Sequence, residues 1–283
     1  MSSVSQAPLA RRDPPWWVVL LAIPLFGSSL IFLLFAGIAG ISWIDAVSAS
    51  RQVSSAAVLP AGGTVTIDAN SAAVHIEAGP SGEVSVQDSM HVRSATRGLA
   101  RAALETFARS TISGTGAGAT VAIPTPEKFN LSAFDVRREV TVRMPADAPL
   151  RLRGQAVSAD IHDLSGTLDL SVQAGAIRLR NTVVNGSDRI AARSGAIDFE
   201  GSLVGGSLDV ETVSGAIHLA LPRGTNASYD IATTSGAIFI QPESGSPVMA
   251  AGNERSVTGV LGAGGGTAIK LRATSGAIAV RVG

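Results

Sequence analysis

From Leu150 onward the chain alternates apolar and polar residues in short bursts. They include Leu168-Asp169-Leu170, Ile177-Arg178-Leu179, Ile197-Asp198-Phe199, Leu208-Asp209-Val210, Ile217-His218-Leu219, Ile238-Phe239-Ile240 and Ile278-Ala279-Val280. A period of two predicts strands with one face buried and one face in water. None of these bursts carries the i, i+3, i+4, i+7 pattern of a helix. The tetrapeptide Ser/Ala-Gly-Ala-Ile recurs between them, with its glycines at Gly175, Gly195, Gly215, Gly236 and Gly276. The intervals are 20, 20, 21 and 40 residues, so the last equals two periods, and a degenerate copy is expected around Ser256–Val260 (SVTGV).

Two short strands and two tight corners in each period predict an all-β fold, a parallel β-solenoid with coils of about 20 residues. Coils stacked about 4.8 Å apart place equivalent residues above one another. Ile177, Ile197, Ile217, Ile238 and Ile278 then form an aliphatic ladder inside. The glycine column supplies the corners, where the backbone needs positive φ or close approach. A β-propeller and an ordinary sandwich are the competing architectures. The 40-residue double period suits a propeller blade.

The N-terminal part reads differently. Residues 16–44 (WWVVLLAIPLFGSSLIFLLFAGIAGISWI) hold no charge over 29 positions, more than the roughly 20 needed to cross a bilayer. Trp16, Trp17 and Trp43 fit interfacial anchors, and Arg11 and Arg12 on the near side favour an N-terminus in the cytoplasm. The expected organisation is a cytoplasmic tail (1–15), one transmembrane helix (16–44), a small-residue polar linker (45–58) and an extracytoplasmic repeat domain (59–283). A cleaved signal peptide ending near Val47-Ser48-Ala49 is the alternative, although its apolar core would be unusually long. Within 94–110, Ala95, Leu99, Ala102, Ala103 and Phe107 recur at helical spacing, with Arg97, Arg101, Glu105 and Arg109 elsewhere on the helix. This predicts one inserted helix. It either packs on the first coils or serves as a partner-binding or membrane-surface element.

Composition sharpens this picture. Of 12 aromatic residues, six lie between Trp16 and Trp43, so the body must build its core from Val, Ile, Leu and Ala, as thin stacked coils allow. Lys and Arg number 22 and Asp and Glu 22, for zero net charge, which argues against nucleic acid as a partner. The absence of Cys excludes disulfides, thiolate metal sites and thiol nucleophiles. His75, His91, His162 and His218 show no metal-binding spacing. No GxSxG, SxxK or phosphate-loop pattern occurs. No catalytic, cofactor-binding or metal-binding residue is therefore assigned, and no cofactor is expected.

Val140-Thr141-Val142-Arg143-Met144-Pro145, Leu150-Arg151-Leu152, the Ser-Gly-x-Ile corners, Gly206–Gly215 (GSLDVETVSG), Leu219–Gly224 (LALPRG) and Ser228–Ile240 (SYDIATTSGAIFI) together carry a resemblance. On these residues, spread over about 60–283, the sequence resembles the putative-adhesin β-strand-repeat family, a bacterial domain family of largely undefined function. The resemblance implies an extracytoplasmic repeat domain behind a single span or signal, with no catalytic residues to carry over. The family usually writes Ser-Gly-Asp-Ile where this chain writes Ser-Gly-Ala-Ile. That departure removes a ladder of corner carboxylates.

The expected role is a membrane-anchored, cell-surface protein with a non-catalytic adhesion, binding or scaffold function toward a protein or surface ligand. The alternatives are an accessory component of envelope-stress signalling, a solenoid carbohydrate-acting enzyme pairing Asp198 with His218, and a cytosolic solenoid polymer. Because Val280-Arg281-Val282-Gly283 follows the last repeat without a polar cap, self-association through the C-terminal coil is expected.

Overall fold

The computed structural model describes residues 47–124 and 135–283. The expected cytoplasmic tail and transmembrane segment lie outside the described residues. Among the described residues no helix is long and apolar enough to cross a membrane. The strands are β1 (Val47–Val58), β2 (Thr64–Ala78), β3 (Glu83–Ser94), β4 (Thr111–Thr115), β5 (Gly118–Ile123), β6 (Asp135–Met144), β7 (Leu150–His162), β8 (Leu168–Ala174) and β9 (Ile177–Val184). They continue as β10 (Ser187–Ser194), β11 (Ile197–Leu203), β12 (Ser207–Ser214), β13 (Ile217–Leu221), β14 (Ala227–Gln241), β15 (Val248–Leu261), β16 (Thr267–Ser275) and β17 (Ile278–Val282). One helix, α1 (Arg97–Thr106), follows β3.

The architecture is a parallel β-solenoid. Alternation in sequence becomes alternation in burial: β8 runs Leu168, Leu170 and Val172 inward, and β9 does the same with Ile177 and Leu179. Each coil turns a corner between two faces. The first face stacks β5, β2, β7, β8, β10, β12, β16 and β14 in parallel. The second stacks β6, the far half of β2, the far half of β7, β9, β11, β13, β17 and the far half of β14. Eight levels at about 4.8 Å give a parallel stack of about 34 Å.

Level order departs from chain order at both ends. β2 precedes β5 and β6 in sequence but stacks between them and β7. At the other end β16 and β17 enter between β12/β13 and β14. Antiparallel strands finish both ends. β3 lies on β6, β1 on β3 and β4 on β5, and β15 lies on β14 along its length.

Three expectations change here. The stretch read as a linker is strand β1 from Val47. Its small residues alternate exposed and half-buried against β3, enough for an edge strand without a conspicuous apolar pattern. The expected degenerate coil near Ser256–Val260 belongs to antiparallel β15. The C-terminal strand is also not the end of the stack, because β17 is hydrogen-bonded on both sides. The terminal edge is β15.

The core is one continuous column of aliphatic side chains, including Ile67, Ile76, Leu152, Ile161, Leu170, Ile190 and Leu271. A smaller cluster lies under α1, where Ala100, Ala103, Leu104 and Phe107 pack on Met90 and Val92. Thr96 caps the helix, its Oγ1 accepting from the Leu99 N–H. The segment after the helix is held by a buried ion pair. Arg138 donates to both carboxylate oxygens of Asp88 (3.1 and 2.7 Å), and the Ser110 N–H and hydroxyl also donate to Asp88 Oδ2. Burial alone would push the Asp88 carboxyl up, but Arg138 and Ser110 together hold it below the ordinary range.

Candidate functional site

The repeat corners form a single column in level order Gly175, Gly195, Gly215, Gly276, Gly236. The N–H of Gly175 donates to Ser194, Gly195 to Ser214, Gly215 to Ser275 and Gly276 to Ser235. The isoleucines stack in the same order, Ile177, Ile197, Ile217, Ile278, Ile238, each no more than 1% exposed. These ten residues are scaffold, and they fix which outward side chains become neighbours.

On the first face the outward column runs Arg151, Asp169, Arg189, Asp209, Lys270, Asp230. Sign alternates at every step. In chain order, Asp209 would be followed by Asp230 and then Lys270, so alternation exists only because β16 enters the stack before β14. The second face carries His75, Asp160, Arg178, Asp198 and His218 in one column. Beside it run Arg143, Glu77, His162, Arg180 and Glu200. Like charges in register about 4.8 Å apart would repel, whereas these columns pair. Arg151 bonds Asp169 at 3.0 Å and Arg143 bonds Glu77 at 2.6 Å. His162 Nε2 lies 3.0 Å from Asp160 Oδ1 without hydrogen-bond geometry, and Arg180 and His75 lie 3.9 and 4.0 Å from Asp160 Oδ2. Each such exposed pair is worth at most about 1 kcal/mol, so the ladders set register more than they add stability.

The stack brings Asp198 and His218 together, with Nδ1 of His218 2.9 Å from Asp198 Oδ1. Arg178 engages the other oxygen of Asp198 at 3.8 Å. The register neighbours of the pair are Arg178 and Ala279, so no hydroxyl nucleophile flanks it within the column. His218 borders an open depression of about 320 Å³ with Arg180, Glu200, Ala220 and Arg281. This mixed-charge surface suits recognition of a polar group. Among the described residues no cluster of three or more acidic or histidine side chains is arranged to hold a metal ion.

Beyond His218 the column changes character. Its next three members are Ala279, Phe239 and Met249. Met249 is 78% exposed, and its neighbour Val248 is also exposed. A face that is charged for five consecutive levels therefore ends in an apolar tip. Sequence reading placed Phe239 on an outward column but could not place Met249 beside it, because β15 pairs antiparallel.

One residue was missed altogether. Asp188 points inward, in the column of Leu168 and Leu208, and is 2% exposed. Its Oδ1 accepts the Leu168 N–H at 2.9 Å, while Oδ2 has no partner among the described residues. Burial pushes its pKa up to about 6 against the pull of that N–H. The signal was available, since Asp188 stands one 20-residue period from both Leu168 and Leu208. A carboxyl whose folded pKa is raised costs nothing while protonated in both states. The cost grows as pH rises from near 4 through 6, reaching about 3 kcal/mol. Asp188→Asn keeps the acceptor for Leu168 and removes the charge. The variant is expected to lose most of this decline between pH 4 and 7 in urea-melt stability. An unchanged decline would refute the assignment.

Compared with known proteins, residues 64–281 match a family model described as Toastrack DUF4097. No curated protein matches. Among solved structures, a putative cell adhesion protein from Clostridium sporogenes is 10% identical, with 82% of this chain and 100% of that chain covered and a TM-score of 0.39. A putative adhesin from Bacteroides fragilis is 10% identical, covering 81% and 97%, with a TM-score of 0.40. A putative adhesin from Parabacteroides distasonis is 10% identical, covering 83% and 98%, with a TM-score of 0.31.

Proposed function

This chain belongs to the Toastrack DUF4097 family, and on that footing we propose that it is a membrane-anchored, extracytoplasmic solenoid with a non-catalytic binding role, exercised at its far tip. The observation that carries the reading is the switch of the second-face column from paired charges to Ala279, Phe239 and Met249. Along the ladders each charge already has a neighbour of opposite sign, so a partner gains little there. At the tip, half-buried Ala279 and Phe239 and exposed Met249 follow His218 in the column, with Arg281 in the neighbouring one, an apolar centre with polar groups beside it. The uncharged stretch 16–44 is separated from β1 by two residues, and β1 and β15 finish opposite ends of the stack. An anchor at 16–44 therefore joins the end of the stack opposite the tip, about 34 Å away along the stack.

Protease added to intact cells is expected to degrade the solenoid domain, and protection would overturn the topology. A photo-crosslinker at position 249 is expected to give a discrete adduct in intact cells, and one at position 209 none. Phe239→Asp should lower the adduct yield about tenfold, the loss of one interface anchor. Equal adducts from 209 and 249 would refute a tip site. An adduct with a neighbouring membrane protein would favour the envelope-signalling alternative over adhesion.

A further inference from the structure

The arginines of α1, Arg97 and Arg101, and Arg109 just beyond its end, stand outside the paired ladders. Among the described residues no carboxylate pairs with Arg97, Arg101 or Arg109, whereas Arg143, Arg151 and Arg272 in the ladders are paired; Arg153, Arg193 and Arg255 on the stack also lack a carboxylate, so what marks this corner is the gathering of several arginines in one place. Arg51, Arg101 and Arg109 line an open depression of about 610 Å³ beside the helix, with Glu105 the only acidic side chain there among the described residues. Arg51 is fixed by donating to the carbonyls of Leu104 (2.5 Å) and Phe107 (3.1 Å) at the end of α1. Burial and then Arg109 disfavour its charge, Asp88 favours it, and Arg138 opposes it, so a further anion would be welcome at this corner. Leu99 on the same helix is 52% exposed, although Ala100, Ala103 and Leu104 turn inward.

The position of this corner is set by β1. Only Asp45 and Ala46 separate the uncharged stretch from Val47, which puts Val47 within about 10 Å of the end of that stretch. Val47 lies opposite Ser94, three residues before α1 begins. The arginines and the exposed leucine therefore sit at the end of the stack that follows residues 16–44, only two residues separating that stretch from Val47 in sequence.

Resting on the anchored reading above, we propose that α1 is a membrane-surface helix. Arg97, Arg101 and Arg109 bind phosphates of anionic phospholipids in the leaflet from which the anchor emerges, and Leu99 enters the acyl boundary. The helix thereby seats the solenoid on the bilayer and fixes the direction in which it projects. A lipid surface is favoured over an acidic protein because the anchor brings it to this corner at no further cost in chain entropy.

The chain has no cysteine, so Leu99→Cys and Met249→Cys each supply a unique labelling site. The test uses the full chain in lipid nanodiscs containing brominated lipid, with and without phosphatidylglycerol. A fluorophore at 99 is expected to be quenched when phosphatidylglycerol is present, and one at 249 is not. Combining Arg97→Gln, Arg101→Gln and Arg109→Gln should shift the docked-to-undocked ratio about a hundredfold, roughly fivefold for each side chain near an anionic surface. Equal quenching at 99 and 249, or quenching indifferent to phosphatidylglycerol and to the arginines, would overturn the inference. So would an equal response to soluble polyglutamate, which would make the surface a general acidic-partner site. Failure of the chain to enter the discs would overturn the anchored reading itself, and the inference with it.

Discussion

Gly276→Ala is expected to destabilise the solenoid by about 2–5 kcal/mol, lowering its melting temperature by about 10 °C. Gly276 has φ +148, a conformation that L side chains rarely adopt, and a Cβ there would run into the carbonyl oxygen of Gly215 on the adjacent level. The conformational part costs about 1–2 kcal/mol. The clash adds about 1–3 kcal/mol, because the obstacle is backbone and cannot rotate away. Relief by shifting the level would stretch the Gly276 N–H bond to Ser235 and the Gly215 N–H bond to Ser275, 2.9 and 3.0 Å respectively. Gly205→Ala is the control. Nothing lies within 4 Å of its added Cβ and its φ is outside the left-handed region, so a change within about 0.5 kcal/mol is expected. Equal melting of the two variants would refute the corner argument.

The period of two and the 20-residue interval were enough to read a solenoid, because both follow from stacking equivalent residues. Local alternation also identified which face of each strand is buried, as Ile177 and Leu179 or Ile217 and Leu219 show. The order of the levels was not legible. Nothing in a 40-residue interval distinguishes two successive coils from a hairpin with the returning strand inserted beneath it. Both arrangements bury Ile238 and Ile278 equally. The information lay in the outward columns, where Asp209 and Asp230 alternate only if Lys270 stands between them. β1 was illegible for a different reason. An edge strand of Ser, Ala and Val buries too little to show a strong apolar stripe. Of the surface that now attracts interest, Phe239 was visible as an outward residue, but its neighbour Met249 depended on antiparallel pairing across a loop. Arg97, Arg101 and Arg109 were visible as a group, and their position close to Val47 depended on β1 being a strand.

The inserted level also predicts an outcome opposite to that of an ordinary repeat array. Deleting the last coil in chain order would normally shorten a solenoid and expose one new end. Here, deleting residues 267–283 removes β16 and β17 from between β12/β13 and β14. The lost strands bury Ile269, Leu271, Ile278, Val280 and Val282. At about 1.5–3 kcal/mol for each large aliphatic side chain, the loss is on the order of 10 kcal/mol, comparable with the whole stability of a domain. β14 could close the gap only by stacking on β12, which would set Asp230 against Asp209 and leave its own antiparallel partner β15 to follow. The truncated chain is therefore expected to lose hydrogen-exchange protection throughout residues 227–261, including strands the deletion does not touch. Protection in β2, β7 and β8 should persist, because their neighbours at the other end are intact. Full protection of 227–261 in the truncated chain would show that the level order is wrong, and the apolar tip built from Ala279, Phe239 and Met249 would go with it.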